Sequence, residues 1–572
     1  MKKIIRINCK TGQITEKPEG EIYKKLGGRS LTSSILFDEV DPSTDALGAG
    51  NKLIFACMLI SGTPISTVNR ISVGAKSPLT GGIKEANAGG TATFFLSQHG
   101  IKAIILENIP TSKKNRILLI RADGTISLED ATNLTGKGNY DVFKLVKEAY
   151  GDKVSIISNG IAGERGYSNS SIQVSEFGID QPCRAAARGG LGAVMGSKGI
   201  KAIVIQKAQN PYTIEYADQD RFNTALKAVN KTILNLRGAL SDIGTATYLA
   251  ATIPSGIIPY KNYSGELFSQ EEKEKYNVNT MVNRIRNYGG STCHACQPGC
   301  IIKCSSVLND EEGKFLTAGF EYETMGMVGP NCKIFDIDVV ARIDRFCDDF
   351  GFDTIEFGAS IAVYMEAGKL DWSDGSGLLK LLDLLYKGRE IADDFGMGTQ
   401  KLGMKYGVKH IPTVKGQSLA AYDPRNLKGT GMTYGISPMG ADHTAGGTIS
   451  NQKLSPQKKE GQLETVIGLQ GAIAACDSNV CLFAWKSIIT AGADYANAVN
   501  ATLGLDWTFN DLLSMGNVTI TKEREFNRLA GITPDQDKLP DFFYEEASET
   551  GTVFDIDHNE VLEKWHGIAA HS

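Results

Sequence analysis

Residues 87–105 read NAGGTATFFLSQHGIKAII, and residues 187–204 read ARGGLGAVMGSKGIKAIV. Each stretch is a Gly-Gly turn, a short helical run, and then GIKAI leading a strand. A repeated supersecondary unit constrains a fold more than a single motif does, because both copies must find equivalent neighbours. A Gly-Gly turn opening a helix gathers unpaired backbone N–H groups and the positive helix end at one point, which suits a phosphate. Two copies therefore predict two equivalent anionic sites in one domain. The alternative is a duplicated turn–helix–strand that binds nothing.

The repeat lies in a β-rich region. Short apolar runs such as IIRIN, KLIFA, ISVGA, KAIILEN, ILLIRA and KAIVIQK, bounded by Gly, Pro, Asn and Asp, predict strands up to residue 207. From Tyr212 the pattern turns helical. In DVVARIDRFCDDFG, Val340, Ile343 and Phe346/Cys347 fall at helical spacing after Asp336 as a cap. A second helix is predicted over 354–367, with Asp353 and Glu356 as a capping box and Gly368 after its end. The expected architecture is α+β: a β-rich N-terminal domain of two packed sheets with short helices (1–207), then two mainly α-helical domains (208–410 and 411–572).

The net charge of −5 argues against a nucleic-acid binder. The N-terminus has charges but no apolar core of a signal peptide. No run approaches the ~18 apolar residues of a membrane span. Eleven cysteines without a secretion signal predict a reducing, cytoplasmic setting in which thiols serve metals.

Four of those cysteines, Cys293, Cys296, Cys300 and Cys304, crowd into STCHACQPGCIIKC. C-x2-C-x3-C with a proline and a glycine inside is a turn that aims several thiolates at one place. Iron–sulfur clusters are held at such spacings. Zinc is the competing metal, although it usually takes two separated C-x2-C knuckles, and buried free thiols are the third option. The fourth ligand is either the nearby Cys304 or a distant cysteine. A second pairing lies in the helical part, where DDFGFD (348–353) and CDSNVC (476–481) each follow a helical stretch. Such corners are either a helix C-cap running into an N-cap or a carboxylate pair facing a ligand rich in N–H donors.

Together, GGRSL at Gly27, NRISVGAKSPLTGGIKEANAGG from Asn69, AARGGLGAVMGSKGIKAI from Ala186, the cysteine cluster, EYETMGMVGPNC from Glu321, DDFGFD, GADHTAGG from Gly440 and REFNRLAGI from Arg524 resemble the tungsten-containing aldehyde:ferredoxin oxidoreductases nearly end to end. The resemblance implies a tungsten bis-pyranopterin, with molybdenum as the alternative metal, one [4Fe–4S] cluster and a Mg2+ joining the pterin phosphates. It implies Cys293, Cys296, Cys300 and Cys481 as cluster ligands, leaving Cys304 aside. Arg70, Asn87, Gly89, Ala186, Ala187 and Arg188 take pterin-phosphate positions, with Asn87 and Ala186 at the magnesium. Asp348, Phe352 and Asp353 form one pterin corner, and the 476–482 segment with Leu482 forms the other. Glu323 and His443 face the metal as the catalytic pair: Glu323 the proton acceptor, with the raised pKa expected of a buried carboxylate, and His443 the donor to the carbonyl oxygen.

Three positions depart from the family pattern. Cys476 stands where the late corner usually has Asp, or else the turn is one residue shorter. Ala445 replaces a basic residue two after the histidine. Arg342 replaces an iron-binding glutamate, so a homodimer is expected to lack a bridging iron. The implied activity is oxidation of a small aldehyde to its acid, with electrons passed to ferredoxin or an electron-transfer subunit. Alternatives are a related tungstoenzyme reducing an aromatic ring or an acid, and a non-catalytic cofactor-carrying subunit.

Overall fold

The structure, a computed structural model, describes residues 2–112, 114–266, 268–451 and 453–567. Its first part is two six-stranded sheets. One contains β1 (Lys3–Asn8), β2 (Ile14–Pro18), β3 (Leu53–Cys57), β4 (Ile71–Lys76), β5 (Ile83–Ala88) and β6 (Ile101–Glu107). The other contains β7 (Arg116–Ile120), β8 (Ile126–Asp130), β9 (Val154–Asn159), β10 (Ile172–Val174), β11 (Arg184–Ala186) and β12 (Ile200–Gln206).

The strand orders are β2-β1-β6-β3-β4-β5 and β8-β7-β12-β9-β10-β11. They are one topology used twice. In each sheet the GIKAI strand is central, parallel to the first strand of its half and antiparallel to the third. β6 and β12 are near-continuous apolar runs because each is covered on both faces. The parallel pairing slips by one residue at the lysine of GIKAI in both halves, Lys102 and Lys201. A bulge re-aims the extra side chain. Both lysines are buried, and each ion-pairs with a glutamate, Glu19 and Glu164 respectively. Among the short helices of this part are α1 (Gly28–Glu39), α2 (Ala92–Gln98) and α3 (Leu191–Ser197).

Helices dominate from α4 (Gln219–Leu236) onward, where the Asp218 carboxylate caps by accepting from the Arg221 N–H. A small sheet, β13 (Ser291–His294), β14 (Ser305–Asn309) and β15 (Phe315–Ala318), carries the cysteine loop between its first two strands. Then come α5 (Tyr322–Val328), α6 (Ile337–Phe350) and α7 (Thr354–Glu366). Asp336 caps α6 as predicted, and Gly351 (φ 88°) ends it in the left-handed conformation that glycine tolerates.

Asp353 caps α7, but the predicted box does not close. The Glu356 carboxylate accepts instead from the N–H groups of Thr399 and Ser418, 2.8 Å each. A fully buried glutamate takes whichever donors the tertiary fold leaves without partners. The hairpin β16 (Thr413–Val414) and β17 (Gln417–Ser418) precedes α8 (Gln462–Asn479), α9 (Trp485–Thr490) and α10 (Phe509–Leu529). Among the described residues no single helix is long and apolar enough to cross a membrane.

Candidate functional site

The open edges of the two sheets, β5 and β11, lie side by side, so the two copies of the repeat meet. This seam holds the predicted phosphate residues. Arg70 spans it on the first-half side: its Nε and Nη2 donate to the Asn87 side chain and carbonyl, and Nη1 lies 3.9 Å from Cys481 Sγ. Arg188, on the second-half side, is buried. Its Nη1 donates to the Ala441 carbonyl (2.6 Å), Nη2 to the Ser418 carbonyl, and Nε faces Asp353 at 3.3 Å.

The turn N–H groups, predicted to be unpaired, are partly in use. Gly90 N–H donates to the Cys296 carbonyl (2.7 Å) and Thr91 N–H to that of Ser175 (3.0 Å). In the second copy, Gly192 and Ala193 donate to Ser170. The glycines serve close approach instead. A Cβ on Gly89 would sit 3.0 Å from Cys296 Sγ, and one on Gly189 would sit 2.5 Å from Lys84 Cγ. The first turn is thus pressed against the cysteine loop.

Cys296, Cys300, Cys304 and Cys481 are all buried. A hydrogen bond from Cys300 lowers the Cys296 thiol to about 7 against the effect of burial, with help from Arg184 and Arg70. Burial raises Cys304, which also feels Cys296 and Cys481. Cys293 lies exposed on β13. Among the described residues no three His, Cys, Asp or Glu side chains are gathered as a single-ion site.

The two corners differ. At the first, Asp348 Oδ1 accepts from Gln173 (3.4 Å) while Oδ2 is buried without a partner, and burial with Asp344 nearby pushes the carboxyl well up. Asp353 is occupied by its capping bond and Arg188. The ring of Phe352 packs into an aromatic core with Phe350 and Phe357, while its N–H donates to the Cys347 carbonyl (2.9 Å) and its carbonyl accepts from Ser171 Oγ (3.2 Å). At the second, Cys476 sits in the apolar core with Tyr495, and the next residue, Asp477, supplies the carboxylate, 3.2 Å from Arg29 Nη1. Leu482 begins a single helical turn and is half-buried. Ala445 is buried beside His443, and Arg342 is exposed on α6.

Glu323, on the first turn of α5, and His443, in the 440–447 loop, meet across 120 residues of sequence: His443 Nε2 is 3.1 Å from Glu323 Oε1. Glu323 Oε2 accepts from Ala421 N–H at 2.8 Å. The chain that provides this N–H is pinned by two buried phenols, Tyr322 donating to the Ala421 carbonyl (2.8 Å) and Tyr263 to that of Ala420 (2.6 Å). His443 Nδ1 is buried without a partner, and its ring lies 5.7 Å from that of Tyr422. Asp442 pairs with the buried Lys84 at 2.9 Å; burial would raise its carboxyl, but Lys84 and Arg188 hold it well below the usual range.

Sequence reasoning missed three of these groups. Lys84 ties β5 to the histidine loop. Arg29 joins Asp477 and Glu523, the latter through two bonds of 2.9 and 2.7 Å. Arg184 reaches Glu176, Ser305 and Glu321 beside Cys296. The signal present in the sequence was charge inside otherwise strand-like or helical runs, IKEANA and GGRSL. Buried unpaired atoms also gather here: Asp348 Oδ2, Glu85 Oε1, His443 Nδ1 and both amide atoms of Asn169 and Gln417. Buried polar groups are nearly always bonded, so this set fits a large polar ligand with many donors and acceptors, as a pyranopterin is. Of the four predicted cluster ligands, Cys296, Cys300 and Cys481 are buried, with Cys296 interacting with each of the other two, and Cys293 is exposed at the start of the loop; such thiols fit an iron–sulfur cluster.

Family descriptions match nearly the whole chain: "Aldehyde ferredoxin oxidoreductase, N-terminal domain" over residues 4–207 and "domains 2 & 3" over 223–567. A tungsten-containing aldehyde ferredoxin oxidoreductase of Pyrococcus furiosus is 31% identical, with 96% of this chain and 92% of that protein aligned. That of Thermococcus kodakarensis is 30% identical over the same shares. The WOR-like subunit of an aliphatic sulfonate oxidoreductase from P. furiosus is 25% identical over 75% of this chain and 72% of its own. Among solved structures, the active-site complex BamBC of benzoyl coenzyme A reductase with 1,5-dienoyl-CoA superposes with a TM-score of 0.79 over 99% of this chain and 93% of that one; at 18% identity it shares the fold.

Proposed function

Because the chain belongs to the aldehyde ferredoxin oxidoreductase family, we propose that it oxidises an aldehyde to a carboxylic acid and hands the electrons, through a [4Fe–4S] cluster, to ferredoxin or an equivalent carrier. The observation that carries this reading is the contact between Glu323 and His443, two titratable side chains from distant segments. Cys293, Cys296, Cys300 and Cys481 would hold the cluster. Arg70, Asn87, Gly89, Ala186, Ala187 and Arg188 would hold the pterin phosphates, with Mg2+ at Asn87 and Ala186. Asp348, Phe352, Asp353 and Leu482 would meet the pterin ends. When bound, the tungsten–pterin group supplies the two-electron chemistry.

The net change is aldehyde plus water to carboxylic acid, two protons and two electrons. Glu323 is the acceptor for a proton released as oxygen adds to the carbonyl carbon. Its Oε2 is fixed by Ala421 N–H, which leaves Oε1 shared with His443. With Nε2 of His443 facing Glu323, its Nδ1, buried without a partner, is the nitrogen left to donate to a carbonyl oxygen, where negative charge develops. The tyrosines that pin residues 420–421 keep Glu323 in place. The eleven free thiols suit a reducing, cytoplasmic setting.

A positioned acid–base group contributes about 10²–10⁴-fold in rate. Glu323→Gln is expected to lower turnover of an aldehyde panel with a dye acceptor by that factor while iron and tungsten contents stay at wild-type level. Near-normal turnover at full metal content would remove Glu323 from the mechanism. Absence of aldehyde turnover in metal-replete wild-type protein would refute the proposed activity.

A further inference from the structure

We propose that the surface over the cysteine loop, formed by α4, the 299–303 turn and α9, docks a small acidic electron-carrier protein. It rests on the redox function proposed above and adds where the carrier binds and by what chemistry.

The surface is built directly on the thiols. The inner face of α4, with Phe222, Ala225, Val229 and Ile233, shares one apolar cluster with Cys300 and Cys304. Polar bonds fasten the helix to the loop. Asn230 Oδ1 accepts from Ser66 N–H (2.9 Å), Ser66 Oγ accepts from Ile301 N–H (3.0 Å), and Arg237 Nη1 donates to the Ile301 carbonyl (3.3 Å). α9 packs against α4 and begins four residues after Cys481.

The outer face is basic on a molecule whose net charge is −5. The segments 221–241, 291–309 and 478–493 contain six lysines and arginines and no carboxylate. Lys227 and Lys231 are exposed one helical turn apart on α4, Lys303 is exposed between Cys300 and Cys304, and Lys486 is exposed on α9. Acids appear only at the borders, Asp220 and Asp494 at the start of α4 and Asp242 beyond its end. Within this ring three large apolar side chains are exposed: Leu234 (50%), Leu236 (40%) and Ile489 (53%).

Apolar contacts inside a one-sign rim describe a protein partner, not a small anion, and the sign selects an acidic one. Positive potential on the face nearest the thiolates also steers such a partner into the orientation in which electrons leave. Two electrons per aldehyde then reduce two one-electron carriers, or one that accepts two.

The test uses the full-length, metal-loaded enzyme, an acidic two-cluster bacterial ferredoxin and the dye benzyl viologen. Lys227→Glu/Lys231→Glu is expected to raise the KM for ferredoxin about tenfold or more at low salt, with kcat on the dye unchanged. Lys486→Glu should add to the effect, and the difference from wild type should shrink towards 1 M salt, where the screening length is about 3 Å. Ferredoxin binding measured without aldehyde should weaken in parallel. Unchanged KM and binding in both variants would overturn the docking surface. If a charge reversal also lowers dye turnover, Lys227→Gln/Lys231→Gln replaces it, with a several-fold rise in KM expected and no rise overturning the proposal. Salt-sensitive binding that is lost in the variants, in an enzyme that turns over no aldehyde with dye, would leave the surface standing and refute the activity alone.

Discussion

The two halves of the β-rich part hold the two helical corners by the same bond. In the second half, Asp353 N–H donates to the Asn169 carbonyl (3.1 Å), just ahead of β10. In the first half, Cys481 N–H donates to the Thr67 carbonyl (3.1 Å), just ahead of β4. Asp353 and Cys481 are the sixth residues of DDFGFD and CDSNVC. The duplicated scaffold thus presents a carboxylate on one side and a thiol on the other from equivalent places. The carboxylate caps a helix and meets Arg188; the thiol meets Arg70 and the cysteine loop. At the first position the asymmetry continues: Asp348 keeps an unpaired oxygen, whereas Cys476 is core and Asp477 is held by Arg29. Repetition supplied the positions; under the proposed function, divergence of a few side chains would assign one half to electron transfer and the other to the cofactor's polar edge.

The sharpest way to break this comparison is at its sixth position. Cys481→Ser is expected to abolish the [4Fe–4S] signal in reduced-state EPR and to strip cluster iron, while Cys304→Ser keeps both. A cluster that survives in Cys481→Ser and is lost in Cys304→Ser would move the electron-transfer role from the corner to the loop.

Next in size is Arg29, which ties the first half to Asp477 and Glu523. Arg29→Met leaves Glu523 and Asp477 buried without their cation and should cost about 3–5 kcal/mol in denaturant unfolding. A loss below about 1 kcal/mol would mean that the second corner does not depend on this ion pair.

The smallest effect is a pH dependence. Burial pushes the Asp477 carboxyl up to about 6, with Arg29 opposing. A folded-state pKa above the unfolded one favours the protonated form. Its contribution is therefore full below about pH 4 and is lost as pH rises through about 6. In protein purified without metal, this step should cost about 1–3 kcal/mol and be absent in Asp477→Asn. Stability that rises over this window in wild type and not in the variant would show that Arg29 wins over burial.

Much of the fold was legible in the chain. The GIKAI copies announced equivalent strands, and they became the two sheet centres because a strand covered on both faces is written as an apolar run. Asp336 and Gly368 marked helix ends, since caps depend on bonds within a few residues. Glu323 and His443 came from the family resemblance, and the chain then proved to bring them together.

What the sequence by itself determined were such local events, together with the composition of the sites. Tertiary structure decided the rest. IKEANA does not read as a buried edge strand, because Lys84 and Glu85 are buried only once β11 and the histidine loop close over them. Glu356 left its predicted box because two backbone donors from residues 399 and 418 were closer to its final place. Arg29 met Glu523 across 494 positions, a pairing no short-range pattern encodes. The same holds for the turn glycines, whose role was set by what packs against them, the Cys296 sulfur at Gly89 and the Lys84 side chain at Gly189. The physical reason is common to all four. The free energy of a buried charge or a close backbone approach depends on which partner arrives, and only the closed fold brings the partner.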